Sequence, residues 1–187
     1  MTSTTTSLAY PVRVEGPGLT LRDFTPGDLD GTLAIVSDDR VTYHLSFDTK
    51  DEAAAQRYLD DSIARAKAQP RPDYYLAVED NTSRALVGFV RLGLTGHRAA
   101  DLGYAIRHDS WGRGYATEAA QMMVTFGFGQ LQLHRISAAC GPDNVASQRV
   151  IEKLGMVYEG RTRHHVFTNG AWRDSLIYAV LADEWSG

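Results

Sequence analysis

Ile106-Arg107-His108-Asp109-Ser110-Trp111-Gly112-Arg113-Gly114-Tyr115-Ala116-Thr117-Glu118-Ala119 decides how this chain is read. The segment leaves a strand-like stretch, turns through two glycines and enters a helical one. Glycines let a backbone come close to an anion, and the first turn of a helix has amides with no intrahelical acceptor. Arg113 adds a guanidinium. The same residues also suit a tight strand-to-helix turn with glycines for geometry alone. A dinucleotide fingerprint is excluded because Thr117 stands where its third glycine belongs, and no Gly-Lys-Ser/Thr of a P-loop is present.

Outward from this loop the pattern changes on either side. Upstream, Leu19 to Phe24 alternates as a first strand, and Thr25-Pro26 opens a helix with a cap and a proline at its first position. Asp51 to Ala68, closed by Pro70, is a second helix. Asp73 to Val78, Ala85 to Leu94 and Ala100 to Arg107 read as an antiparallel meander. Downstream, Gly114 to Gly129 is helical, Arg135 to Cys140 is a short strand, and a helix starting at Pro142-Asp143-Asn144 ends before Gly155. Met156 to Phe167 and Trp172 to Leu181 flank Asn169-Gly170, a hairpin signal. The order is β α α β β β α β α β β, one α+β domain with a parallel pair at the central strand–helix–strand unit. The expected sheet is mixed and mostly antiparallel, with about seven strands and about four helices. Residues 1–18 are expected to be a flexible leader and 19–187 a single domain. Tyr74, Tyr75, Phe89, Phe126, Phe128, Phe167, Trp172 and Tyr178 are expected in the core. Tyr10 and Tyr43 carry no signal, and His134 reads as the end of a helix or turn.

Composition narrows the functional classes. The chain has 187 residues, 43% of them hydrophobic and 22% charged, as a folded domain requires. Its net charge of −4 argues against general nucleic-acid binding. No apolar run approaches a membrane span, and the single cysteine, Cys140, leaves no internal disulfide. A cytoplasmic location is expected. The His and Cys residues do not match a metal-site spacing, so no metal is expected.

Leu102-Gly103-Tyr104, the loop Trp111 to Ala119, Asn144, Ser147, Lys153-Leu154-Gly155 and Glu159-Gly160 together resemble the Gcn5-related N-acetyltransferases, closest to their RimJ/RimL-type branch. The resemblance runs from about Leu19 to Trp185. It implies a sheet splayed between the fourth and fifth strands, acetyl-CoA lying in the V, and acetyl transfer to an amine by direct attack on the thioester. Tyr104, Ile106 and Arg107 would meet the pantetheine arm. The amides of Trp111, Gly112, Arg113, Gly114, Tyr115, Ala116 and Thr117 would hold the pyrophosphate. Trp111 departs from the Arg or Gln common at its place. Asn144 would contact the pantetheine, or simply cap its helix.

For the chemistry, the resemblance implies that the Ile106 amide donates to the developing oxyanion. Many relatives place a tyrosine where this chain has Ile151, which cannot donate. Ser147, one helical turn earlier on the same face, would serve the leaving thiolate or merely satisfy its helix. The proton acceptor stays open among Asp101, Glu118, His164 and His165. Val166 occupies the position where some relatives carry a glutamate, and alternation puts His164 on its face and His165 on the other. Deprotonating a lysine at pH 7 costs about 4.6 kcal/mol, an α-amine about 1.4 kcal/mol. The missing carboxylate therefore favours a weakly basic acceptor, a peptide N-terminus or a small-molecule amine. An enzyme that inactivates an antibiotic or metabolite, and a non-catalytic acyl-CoA-binding module, are the alternatives. A homodimer is expected by family analogy alone.

Overall fold

A computed structural model of the chain describes Leu8 and residues 10–187; Met1 to Ser7, read as the start of a leader, lie outside the described residues. Eight strands form one open sheet: β1 (Arg13–Glu15), β2 (Leu19–Arg22), β3 (Asp73–Asp80), β4 (Leu86–Gly96), β5 (Ala99–Ile106), β6 (Arg135–Cys140), β7 (Val157–Thr168) and β8 (Ala171–Leu181). The helices are α1 (Leu29–Val36), α2 (Asp39–Thr42), α3 (Glu52–Lys67), α4 (Tyr115–Gly129) and α5 (Val145–Lys153). The spatial order is β1-β2-β3-β4-β5-β6-β8-β7, with β5–β6 the one parallel pair among them. That pair is joined through α4, as a parallel neighbour requires.

Strand alternation divides the core in two. Leu19, Leu21, Tyr74, Leu76, Val90, Leu92, Ala100 and Leu102 pack with α4 residues such as Met123 and Phe126 and with Ile151 of α5. Tyr75, Ala77, Phe89 and Ala105 face the other way, with Ile35 and Val36 of α1 and Ala55 and Leu59 of α3. β3 is buried at every position because helices cover both of its faces. Thr25 leads a 3-10 turn, Pro26–Asp28, into α1, and Asp51 caps α3 by accepting from Ala54 N at 2.8 Å.

Two elements depart from the expected order. β1 lies inside the stretch read as leader. It pairs with β2 in a three-residue ladder, too short to show a period in sequence. What holds it is distant. Asp23 accepts from Val12 N at 2.7 Å and forms a buried ion pair with Arg71 at 2.6 Å. α2 is a single turn capped by Asp38, which accepts from Arg40 N at 3.0 Å. Phe167 and Trp172 are also not in the core. They flank the β7–β8 turn and are each 57% exposed.

Glu118, one of the proton-acceptor candidates, has a structural task in this fold. Its Oε1 accepts from the amides of Gly18 at 2.7 Å and Leu19 at 3.1 Å, tying the first turn of α4 to the start of β2. A carboxylate there also suits the helix dipole. Both partners lie about a hundred residues upstream, so no local pattern signals the contact. Glu118→Ala is expected to lower folding stability by about 1–3 kcal/mol, the cost of two amides left without an acceptor, and to leave turnover per folded molecule unchanged. Denaturant melts and kcat on the folded fraction check this; a large loss of kcat at unchanged stability would return Glu118 to the chemistry.

Candidate active site

The sheet opens at its parallel pair. The β5–β6 ladder runs from Ala99↔Arg135 to Leu102↔Ala138 and stops, although β5 continues to Ile106 and β6 to Cys140. β6 instead stays on β8 as far as Cys140↔Leu176. The result is a V with a cavity of about 1150 Å³, lined on one side by Gly103 to Ile106 and on the other by Ala138 to Asn144. Arg107 N donates to Val87 O at 2.8 Å, so residues 107, 105 and 103 turn their backbone groups to β4. By antiparallel alternation the backbone groups of Tyr104 and Ile106 face the gap left by β6. The Ile106 carbonyl takes the Trp111 indole N–H at 2.7 Å; its amide keeps the open edge.

One end of the V is the glycine loop. Gly112 has φ +77 and Gly114 φ +82, a left-handed region where L side chains are strained. A Cβ added at either would meet no atom within 4 Å, so the backbone lies open to a ligand on that side. Gly114 is the N-cap of α4, and Gly112, Gly114, Tyr115, Ala116 and Thr117 all line the cavity. This cradle has the form that a pyrophosphate requires. The first turn of α4 is held by the Tyr115 hydroxyl, which donates to Asp80; that bond, with the Ser83 and Thr82 amides, draws the Asp80 carboxyl down to about 2.

Three loop residues sit differently from expectation. Arg107 has its amide on Val87 O, its carbonyl on Ser110 N and its guanidinium on Leu86 O and Asp109, so nothing of it reaches the V. The Trp111 amide is used by His108 O at 3.2 Å. Trp111 meets the cavity with an indole that is 47% exposed and lies against His108 at 4.7 Å. Arg113 is exposed and outside the cavity lining.

Across the V, α5 brings up its first turn. Asn144 caps it, accepting from Ser147 N at 3.1 Å, so its capping role is real; the helix begins at Val145, three residues after the expected start. Ser147 Oγ lies 2.8 Å from the Tyr104 hydroxyl. Burial raises the Tyr104 phenol to about 12, against the downward pull of the Ser147 hydrogen bond. Cys140, beside Ser147, is raised to about 11, again chiefly by burial, and stays a thiol. Ile151 is 1% exposed and lines the cavity with an aliphatic side chain, which has no proton to donate.

The far end of the cavity is built by the β7–β8 hairpin and the loop after α2. Between Thr162↔Ser175 and Val166↔Arg173 the register slips, leaving three residues opposite Asp174. His164 takes φ +50 and its amide donates to Asp174 at 2.9 Å. This bulge breaks alternation, so His164, His165 and Val166 all line the cavity, where the sequence put the two histidines on opposite faces. His165 Nδ1 meets the buried Ser175 hydroxyl at 2.9 Å, while the His164 ring stacks on Trp172. Asp101 lines the closed base of the V and accepts from Ser137 Oγ across the last paired rungs. Tyr43, His44 and Leu45 complete the wall. Arg173 clamps them by donating to the carbonyls of Tyr43 and Leu45. Tyr43, His44, Trp172 and Arg173 had no mark in the sequence as site residues, because each acquires its place through contacts more than a hundred residues apart or through the bulge.

The comparisons agree with this geometry. A family model described as an acetyltransferase (GNAT) domain matches residues 18–157. The uncharacterized N-acetyltransferase YoaA of Bacillus subtilis is 29% identical over 174 residues, 92% of this chain and 97% of YoaA. A GNAT-family acetyltransferase from Bacillus anthracis superposes with a TM-score of 0.82 at 26% identity, covering 92% of this chain and 100% of its own. Mycobacterium smegmatis RimJ, solved in complex with CoA-disulfide, gives 0.81 at 27% identity, covering 95% and 88%. With a sheet opened at its one parallel pair, a glycine cradle at the head of α4 and a family match over well more than half its length, this chain belongs to the GNAT acetyltransferases and is an N-acetyltransferase.

Proposed function

We propose that the protein acetylates a weakly basic primary amine, a peptide N-terminus or a small-molecule α-amine, using acetyl-CoA bound along the open edge of β5. The observation that carries this reading is the early end of the β5–β6 ladder. It leaves the backbone groups of Tyr104 and the Ile106 amide without a strand partner beside the amides at the head of α4. Acetyl-CoA would supply the activated acyl thioester. The protein's own groups would position it and manage charge. The amides from Gly112 to Thr117 hold the pyrophosphate, Asn144 borders the pantetheine while capping α5, and the Ile106 amide faces the acyl oxygen. Ser147 donates to the sulfur as its charge grows.

His165 is the residue we assign to take the amine proton. Ser175 fixes its Nδ1, which leaves Nε2 as the nitrogen available to the cavity. A buried hydroxyl holding one ring nitrogen while the other works is a common arrangement for an imidazole base. Asp101 sits at the closed base of the V with its carboxylate already on Ser137, and His164 is held by its stack on Trp172. Arg173, held by the neutral carbonyls of Tyr43 and Leu45, keeps a positive charge beside the cavity, which favours an acceptor without a second ammonium.

Acetyl-CoA at about a hundred times its Kd should add roughly 2.7 kcal/mol of stability by mass action. Absence of any melting shift at millimolar acetyl-CoA, with folded protein, sinks the reading. Release of free CoA thiol is then followed across amino acids, N-terminal peptides and polyamines, and polyamines should be the poorest acceptors.

Two substitutions test the assignments. Ser147→Ala should lower kcat by about 10- to 100-fold, roughly 1.4–2.7 kcal/mol of barrier, with little change in KM for acetyl-CoA. His165→Gln should lower kcat/KM for the amine by about 100-fold. An equal loss in Asp101→Asn, with His165→Gln near wild type, would move the base to Asp101. Asn144→Ala separates cap from contact. A loss of about 1 kcal/mol in stability is expected from the cap alone, so a further drop in acetyl-CoA affinity marks a ligand contact.

A further inference from the structure

The hydroxyl of Tyr104 stands in the one place from which it can govern Ser147. Tyr104 is on β5, the strand that lines the V, and Ser147 is on α5 across it. Their oxygens are 2.8 Å apart, and Tyr104 Oη is also 3.3 Å from the Ser147 carbonyl. Each hydroxyl has one proton to give. Two arrangements follow. In one, Ser147 donates to Tyr104, and Tyr104 donates to the Ser147 carbonyl; both protons are then consumed inside the protein. In the other, Tyr104 donates to Ser147 Oγ, and the serine proton is left for the cavity or for the neighbouring Cys140 sulfur, a weak acceptor. Only the second arrangement leaves Ser147 able to donate to anything else.

We propose that Tyr104 is the positioning residue that makes Ser147 a donor: by giving its own proton to Ser147 Oγ, it directs the serine O–H toward the sulfur of the bound thioester. This rests on the reading of Ser147 given above and adds to it the group through which the serine acts. The raised phenol keeps its proton over any working pH, so the switch between the two arrangements is a rotation of two hydroxyls and needs no titration. The phenol polarises the serine hydroxyl it donates to, and a hydroxyl that accepts a hydrogen bond is a better donor in turn. Tyr104 thereby offsets the loss of the tyrosine hydroxyl whose place Ile151 occupies. The second neighbour, Cys140, cannot substitute, because a thiol is a weak donor.

The test is a double-mutant cycle measured where chemistry limits turnover. Tyr104→Phe keeps the ring in its packing and removes one oxygen. It should lower kcat about 5- to 20-fold with KM for acetyl-CoA within twofold of wild type. In the Ser147→Ala background the same change should alter kcat by less than twofold, because Tyr104 has nothing left to act through. A merely structural role would lower the melting temperature and leave kcat per folded molecule in place. Wild-type kcat in Tyr104→Phe alongside a large loss in Ser147→Ala overturns this inference and keeps the Ser147 reading. Wild-type kcat in Ser147→Ala overturns both. Additive losses in the double variant also overturn it, since Tyr104 would then act without the serine. Should Tyr104→Phe fail to fold, 3-fluorotyrosine at position 104 retains the hydroxyl and makes it a stronger donor. It should change kcat in the wild-type background and not in Ser147→Ala; equal effects in both backgrounds overturn the proposal.

Discussion

The rest of the structure depends on a ladder that ends early. After Leu102↔Ala138, β5 and β6 part, and the donors and acceptors of Tyr104 and Ile106 are left inside a sheet without a strand partner. Buried, such groups would cost about 1–3 kcal/mol each. They are tolerable because the gap is a cavity open to water. The same openness makes the edge a template for any extended ligand with amide groups of its own, which can occupy the missing strand's positions. β6 cannot close the gap, since β8 holds it through Cys140↔Leu176 and α5 must begin at Val145 only a few residues later. Tyr104 helps hold the sides apart, with its ring against the α4–α5 core and its hydroxyl on Ser147.

A site that depends on an open edge needs rigid supports, and these are unusually ionic on the β1–β3 side. Arg71 and Asp23 pair with side chains at 1% and 2% exposure, with Arg71 lying over the Tyr74 ring at 4.4 Å. Arg22 is held between Asp28 and Glu79, at 2.8 and 2.7 Å, and its guanidinium is raised well above its ordinary range, first by the Asp28 bond. Such pairs add little net stability over apolar packing, but losing one partner strands a buried charge. They fix the register of β2 against β3. Through Glu118, β2 in turn fixes the first turn of α4 and so the glycine cradle. Stiffness is passed from buried charge to the glycine loop through these contacts.

Much of this was legible where the chemistry is local. Asn169-Gly170 announced its hairpin, and both residues take positive φ, 52 and 73. The two glycines before Tyr115 announced a tight strand-to-helix turn, and both take positive φ, 77 and 82. Arg135 to Cys140 was read to the residue. What escaped the sequence depends on partners far along the chain. β1 is held by an ion pair made with residue 71. Glu118 reads as a first-turn carboxylate in any helix, and only the fold shows that Gly18 and Leu19 occupy it. Arg107 follows a strand and precedes an anion loop, yet Leu86 and Asp109 claim its guanidinium. Alternation failed at His164 and His165 because a bulge inserts residues that period-two reasoning does not count.

That bulge also separates the general part of the site from the particular part. The cradle, the open edge and the α5 turn are set by short-range geometry and by the central sheet. The acceptor wall is set by the hairpin and the loop after α2, which Arg173 and the Asn169 amide on Asp48 bind together. Arg173 donates to two carbonyls, which hold the guanidinium in place without neutralising it, so the clamp keeps its positive charge next to the cavity. A cation there disfavours a second ammonium on the acceptor by simple repulsion, which salt would screen only in part inside a recess. In the proposed reaction, acceptor choice falls to this hairpin and loop, which lie apart from the glycine loop along the chain. Motifs mark the half of the site proposed for the acyl donor because its geometry is local, while the half proposed for the amine is assembled from the hairpin bulge and a loop more than a hundred residues away.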